Sequence, residues 1–138
     1  MTKLDELIAV AHKLRAPGGC PWDAEQTHQS LVKYLIEEVY ELVDAIESGN
    51  RDEVLEELGD VLLQVFFHAR MAEEDPTAPF DIEEVAAGVA DKLIRRHPHV
   101  FGDTKVESSA EVLENWEAIK AKEKGRTSSL DGIAMAQI

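Results

Sequence analysis

The segment from Val54 to Ala69 contains so many apolar residues that they point in most directions around a helix. One line of polar residues begins just before this segment and continues along it at intervals of 4, 3, 4 and 4 residues, namely Glu53, Glu57, Asp60, Gln64 and His68. At these intervals the side chains of an α-helix form one line along its surface. A helix that is apolar nearly all round is a buried helix, so we expect this polar line to lie inside the protein.

A second helical segment places further acids on its apolar side. With about 100° between successive residues, Glu38 falls in the middle of the apolar face and Glu41 falls at its edge. Glu37 and Asp44 point further toward solvent. An unpaired carboxylate at a core position is costly, so Glu38 requires a positive partner.

The two acidic segments are joined by only a few residues around Gly49 and Asn50. As antiparallel neighbours they can bring together two pairs of acids, Glu38 with Glu41 and Glu57 with Asp60. Four converging carboxylates raise their own pKa values unless a cation lies between them. Oxygen ligands favour Mg²⁺, with Mn²⁺ as a possible substitute. The alternative is a solvated acidic face, and His68 is expected to be a hydrogen-bonded core histidine.

Helical periodicity and end signals divide the chain into helical segments. The predicted helices span about residues 3–15, 28–47 and 52–72, a fourth opened by Asp81 and closed by Pro98, and a last one from Ser108 or Ser109 to about Lys124. No segment alternates with the period of two that is typical of a strand. We therefore expect an all-α bundle of four to five helices.

Composition restricts the possible partners of this bundle. The 138 residues carry a net charge of −14, which disfavours binding to a nucleic acid polymer. There is a single cysteine, Cys20, and no apolar run approaches the length of a membrane span, so we expect a cytoplasmic protein that does not bind membranes. Lys92, Arg95 and Arg96 form one short basic cluster.

Three stretches of the sequence carry a family resemblance. Glu37-Glu38-Val39-Tyr40-Glu41 is followed after 15 residues by Glu57-Leu58-Gly59-Asp60, which is similar to the E-E-x-x-E…E-x-x-D signature of the MazG family of nucleoside triphosphate pyrophosphohydrolases. Residues 19–27 and 91–101 also resemble segments of that family. The resemblance covers roughly residues 4–124.

This resemblance implies an all-α homodimer that depends on Mg²⁺ and hydrolyses nucleoside triphosphates to monophosphate and pyrophosphate. The implied metal ligands are the four acids that helical periodicity also selects, Glu38, Glu41, Glu57 and Asp60. Glu37 and Glu53 are candidates for supporting these ligands or orienting the attacking water. The implied nucleotide-binding residues are Lys92, Arg96, Asn115 and Trp116, with Arg95 completing the basic cluster.

Several alternatives remain open at this point. Lys92 and Arg96 are also explained as surface cations at a helix C-terminus, and Trp116 as a packing residue. Trp22 and Cys20 are interpreted first as structural. The enzyme can be a specialised dUTPase-like nucleotide hydrolase, or the chain can be a non-enzymatic bundle that binds a metal or a partner.

The resemblance also suggests a domain organisation. We expect a catalytic domain over residues 1–125 and a flexible or truncated tail over residues 126–138. Many members of the family carry two such domains, whereas this sequence carries one. We therefore expect a truncated or minimal form of a longer protein.

Overall fold

The computed structural model describes residues 1–125, and the regular structure of that part is all helical. Seven helices follow one another, and they are α1 (Lys3–Arg15), α2 (Pro21–Glu25), α3 (Val32–Ser48), α4 (Arg51–Ala72), α5 (Ile82–Arg96), α6 (Pro98–Phe101) and α7 (Ser109–Lys124). The predicted all-α class is confirmed. The predicted tail over residues 126–138 lies outside the described residues.

Two short helices, α2 and α6, take the described part beyond the four to five helices expected from the sequence. Both begin with a proline, Pro21 and Pro98. From the sequence, these prolines are expected to act only as breaks. A proline also fits the first turn of a helix, because that position needs no backbone N–H donor. Pro98 therefore follows the end of α5 and at the same time begins α6.

The long helices begin and end at local signals. Thr2 Oγ1 accepts a hydrogen bond from Asp5 N, and the Asp5 carboxylate accepts one from Thr2 N, so a capping box opens α1. Gly49 ends α3 with a φ of 72°, a left-handed conformation in which glycine has no Cβ clash. Asn50 then caps α4 by accepting hydrogen bonds from Asp52 N and Glu53 N. The tight connection between α3 and α4 follows from these two caps.

The start of α3 differs from the sequence prediction, which placed it near His28. Helix α3 begins at Val32. Thr27 and Ser30 exchange hydrogen bonds in which each hydroxyl accepts from the other residue's backbone N–H. Such side-chain bonds offer the backbone an alternative to the helix, so they hold the preceding residues in a turn.

Helices α3 and α4 pack against each other and carry the core of the first part of the chain. Leu31, Phe67 and Met71 form a buried cluster, and Tyr34 and Leu63 pack against it. Helix α1 contacts α4, and α2 contacts α1. Burial of each large core side chain contributes about 1.5–3 kcal/mol of hydrophobic stabilisation.

Burial along α4 is uneven. The buried residues lie in its C-terminal part and are Phe66, Phe67, Ala69, Met71 and Ala72. The expectation of a helix that is buried all round is therefore met only there. Exposed apolar residues follow one line on α3, Val32, Ile36, Val39, Val43 and Ile46, and another on α4, Leu55, Leu58, Leu62 and Val65. We call these two rows the apolar lines.

The chain divides into two compact units, Met1–Val85 and the residues from Ala86 onward, so the division falls within α5. Within the second unit, the side chain of Ser108 caps α7 by accepting a hydrogen bond from Glu111 N. Among the described residues, no helix combines the length and the apolar character needed to cross a membrane.

Candidate active site

Four carboxylates converge between α3 and α4. One oxygen each from Glu38, Glu41, Glu57 and Asp60 lies within 4.8 Å of the others. Each helix contributes two acids three residues apart, and this spacing places both on the same side of a helix. The caps at Gly49 and Asn50 fold the two helices against each other. The structure thus brings together the four acids selected from the sequence.

Among the described residues, the cluster lacks the positive partner that its charge requires. In the same part of the chain, Oε2 of Glu38 and Oε2 of Glu57 are buried without a hydrogen-bond partner. In residues 1–125, none of the ion pairs to lysine, arginine or histidine involves any of the four acids. Buried carboxylate oxygens normally find partners, so these two indicate a site for a cation.

Partial burial and repulsion between the carboxylates raise two of the pKa values in the cluster. Partial burial, and then the charges of Asp60 and Glu41, raise the pKa of Glu38. Partial burial and the charges of Glu41 and Asp60 raise the pKa of Glu57 to about 7. A divalent cation among these oxygens would favour the ionised forms. The donor set contains only carboxylate oxygens, which suits hard ions of the Mg²⁺ or Mn²⁺ type, so the cluster could hold a metal ion.

The other polar residues of the two helices have different surroundings. Glu37 is exposed. Glu53 is also exposed, and its Oε2 accepts a hydrogen bond from Ser48 Oγ at 3.0 Å, which ties it to the α3–α4 connection. Oε1 of Gln64 is buried without a partner.

His68 forms a hydrogen bond, as expected from the sequence, although it is only half-buried. Its Nδ1 lies 2.8 Å from Nδ1 of His28, and the two rings stack with centroids 5.0 Å apart. Burial, and then the charge of His28, lower the pKa of His68. This pair links the turn before α3 to α4.

A cavity of about 120 Å³ lies beside the acids. It is lined by Trp22, Asp23, Leu31, Tyr34, Glu38, Leu63, Gln64 and Phe67. The rings of Trp22 and Tyr34 meet edge to face, with centroids 5.6 Å apart. Sequence reasoning missed this cavity because it interpreted Trp22 as structural. The available signal was the position of Trp22 inside a stretch with family resemblance, residues 19–27.

The predicted nucleotide-binding residues lie in the second unit. Lys92 is half-buried and has no ion pair among the described residues. Arg96 is buried, and its Nη2 lies 3.0 Å from Glu123 Oε2. Arg95 forms ion pairs with Asp91 and with Glu123. Sequence reasoning missed Glu123, which is 27 residues from Arg96.

Asn115 and Trp116 are both half-buried on α7. Nε1 of Trp116 is buried without a hydrogen-bond partner. A buried indole N–H usually finds an acceptor. The indole N–H of Trp116 finds none among the described residues.

Comparison with known proteins agrees with this arrangement. The family model of the MazG nucleotide pyrophosphohydrolase domain matches residues 26–101. The chain is 54% identical over 125 residues to the nucleoside triphosphate pyrophosphohydrolase/pyrophosphatase MazG of Thermotoga maritima, covering 91% of this chain and 47% of that protein. It is 47% identical over 137 residues to the nucleoside triphosphate pyrophosphohydrolase of Escherichia coli K12, covering 96% of this chain and 51% of that protein. The chain thus spans about half the length of these curated relatives.

Among solved structures, the fold is similar to the crystal structure of a mazG-related protein from Thermotoga maritima. The TM-score is 0.70 at 25% sequence identity, and the match covers 85% of this chain and 98% of that one. The family model spans more than half of the sequence and includes all four converging acids, so the chain belongs to the MazG nucleotide pyrophosphohydrolase family.

Proposed function

We propose that the protein hydrolyses nucleoside triphosphates to nucleoside monophosphate and pyrophosphate in a Mg²⁺-dependent reaction. The observation that carries this proposal is the convergence of four carboxylates that have no positive partner among residues 1–125. The names of the Thermotoga maritima and Escherichia coli relatives support the same reaction. The chemistry requires no covalent intermediate.

The four acids would hold the divalent ion. When bound, that ion would neutralise charge on the phosphate oxygens and lower the pKa of a water molecule bound to it. Glu37 is exposed near Glu38, and its charge contributes to the raised pKa of Glu38. We assign Glu37 to orienting the water and accepting its proton, because Glu53 is already engaged with Ser48.

The basic cluster would bind the phosphates. Lys92 has no ion pair among the described residues, so it can offer its charge to the pyrophosphate leaving group without losing a partner. Arg95 and Arg96 share Glu123 and would exchange it for phosphate oxygens. We also assign Asn115 and Trp116 to nucleotide binding, through the amide and the indole ring.

The cavity beside Glu38 would accept the base. Its volume of about 120 Å³ is comparable to the roughly 150 Å³ engineered cavity that holds benzene, so it suits one aromatic ring. Trp22 and Tyr34 supply aromatic surface, and the unpartnered Oε1 of Gln64 supplies a hydrogen-bond acceptor. This size favours pyrimidine nucleotides and supports the specialised, dUTPase-like form of the enzyme as the second candidate.

We also propose that the protein acts as a homodimer. Residues on the two apolar lines are separated alternately by four and three positions, the spacing by which helices pack against one another. Val39 is 44% exposed and Ile46 is 58% exposed. A second copy of the chain, carrying the same two lines, would cover this surface.

The proposal is tested by measuring pyrophosphate release from canonical and non-canonical nucleoside triphosphates, with Mg²⁺ and with chelator. Glu41→Gln should lower turnover by about a hundredfold or more while leaving the fold intact. Glu47→Gln, an exposed acid on the same helix, is the matched control and should retain activity. No release from any triphosphate by the folded wild-type protein would refute the enzyme and favour a binding bundle.

A further inference from the structure

The wall of the cavity formed by α2 needs support from outside itself. Trp22 and Asp23 lie on α2 and line the cavity. This helix has only five residues, and helices of that length are not stable in isolation. The position of both side chains therefore depends on what fixes α2 to its neighbours.

The N-terminal side of α2 is fixed through the backbone. Cys20 N donates a hydrogen bond to Leu14 O at 2.8 Å. A Cβ atom at Gly19 would lie 2.1 Å from Lys13 O, so this approach requires glycine. The chain entering α2 is thereby held against the end of α1.

The side chain of Arg15 helps to fix the C-terminal side of α2. Nη1 of Arg15 donates to Asp23 O and to Gln26 O, both at 2.8 Å. These carbonyls lie at the end of α2, where a helix leaves carbonyls short of donors, and Asp23 O also accepts a hydrogen bond from Gln26 N at 3.3 Å. Gln26 is buried, and its Nε2 donates back to Trp22 O at 2.8 Å.

The guanidinium of Arg15 is itself held by Glu74, which follows the end of α4. Nε donates to Glu74 Oε2 at 2.6 Å, and Nη2 donates to Glu74 Oε1 at 3.1 Å. These bonds lower the pKa of Glu74. The Arg15 side chain is 11% exposed. One guanidinium therefore joins α1, the end of α2 and the residues following α4.

We infer that Arg15 is a positioning residue that sets the α2 wall of the cavity and thereby controls recognition of the nucleoside, leaving the phosphate chemistry unchanged. This inference rests on the proposed function. Arg15 does not line the cavity itself, so it acts through Trp22 and Asp23. A lysine cannot replace it, because an ammonium group lacks the planar fork that reaches two carbonyls and a carboxylate together.

The test compares wild-type protein, Arg15→Lys and the control Arg70→Lys. Arg70 also contacts Glu74, at 3.2 Å, and has no hydrogen bond to α2 among the described residues. Arg15→Lys should raise KM for the preferred nucleoside triphosphate about tenfold with kcat unchanged, since it loses charge-assisted hydrogen bonds. Arg70→Lys should leave both constants unchanged.

Calorimetry separates the nucleoside from the phosphates. Arg15→Lys should weaken binding of an α,β-methylene nucleoside triphosphate about tenfold and leave binding of inorganic tripolyphosphate with Mg²⁺ unchanged. An equal loss of affinity for both ligands would overturn the inference, as would an unchanged KM of Arg15→Lys. If Arg15→Lys does not fold, Glu74→Gln replaces it, with an expected rise in KM of about threefold and the same selectivity.

The same measurements distinguish an error in the proposed function from an error in the role of Arg15. If wild-type protein releases no pyrophosphate and binds neither ligand, the enzyme and the nucleoside role of Arg15 are both overturned. If wild-type protein is active and Arg15→Lys matches it for both ligands, the positioning role alone is overturned.

Discussion

Glu57→Gln tests directly whether the converging acids form a metal site. The substitution replaces a carboxylate with a neutral amide of nearly the same size, so it removes one of four negative charges with little change in packing. Glu57 is half-buried, and its Oε2 has no hydrogen-bond partner. In metal-free protein, burial and the neighbouring acids raise the pKa of Glu57 from 4.5 to about 7.

The sign of the pH effect follows from this shift. A carboxyl group with a higher pKa in the folded state binds protons preferentially there, so the free energy of unfolding falls as pH rises. For Glu57 the fall extends from about pH 4.5 to about pH 7. We expect metal-free Glu57→Gln to lose less stability over this interval and to be more stable than wild type at pH 8.

Divalent cation should reverse this order. A ligand at a hundredfold excess over its Kd stabilises the folded state by about 2.7 kcal/mol. In a domain of this size each kcal/mol corresponds to about 4 °C in Tm, so wild type should gain about 10 °C. Glu57→Gln, with three carboxylates left at the site, should gain less than about half of that.

Thermal unfolding at pH 5 and pH 8, in chelator and in Mg²⁺, measures both effects. Glu56→Gln is the control, because Glu56 is an exposed neighbour on the same helix. It should follow wild type in all four conditions. A Glu57→Gln protein that is less stable than wild type without metal at pH 8, yet gains as much from Mg²⁺, would refute the reasoning.

Two further predictions concern the first unit. Val39→Asp puts a charge on the apolar line of α3 and should convert the dimer to a monomer in analytical ultracentrifugation. A variant dimer with an unchanged sedimentation coefficient would show that the two copies meet through another surface. His68→Gln should reduce the loss of stability in acid, because burial and His28 hold the pKa of His68 below its ordinary 6.5 and the folded state therefore loses stability as pH falls below that value. Urea unfolding of wild type and variant at pH 7.5 and 5.5 in chelator measures this difference, and parallel pH profiles would contradict it.

The features that the sequence predicts well depend on neighbouring residues in the chain. The hydrogen bonds that cap α1 at Thr2 and the left-handed Gly49 that ends α3 both involve residues only a few positions apart. The convergence of the acids needs one additional assumption, that a short connection makes α3 and α4 neighbours. Helical spacing and that connection are sufficient to select Glu38 and Glu57.

The features that sequence reasoning missed depend on contacts between distant residues. Glu123 pairs with Arg96 across 27 positions, and helical periodicity contains no information about that distance. The cavity arises because Trp22 on α2 meets Tyr34 on α3. Helix α6 was missed for a local reason. A proline is compatible with the end of one helix and with the start of the next, so Pro98 alone did not indicate α6.

Helix α4 shows how a folded chain can carry acids that have no positive partner among its described residues. Its C-terminal part packs into the core through Phe67 and Met71, and this burial offsets the cost of the carboxylates. Its N-terminal part carries Glu57 and Asp60 beside the exposed apolar line. Within residues 1–125 no cationic side chain relieves the repulsion and the apolar line stays exposed, so a bound cation and a covering partner would each stabilise this part of the helix. A substitution at the acids should consequently change stability and metal affinity in opposite directions, whereas one at Met71 in the core should lower stability and leave metal affinity unchanged.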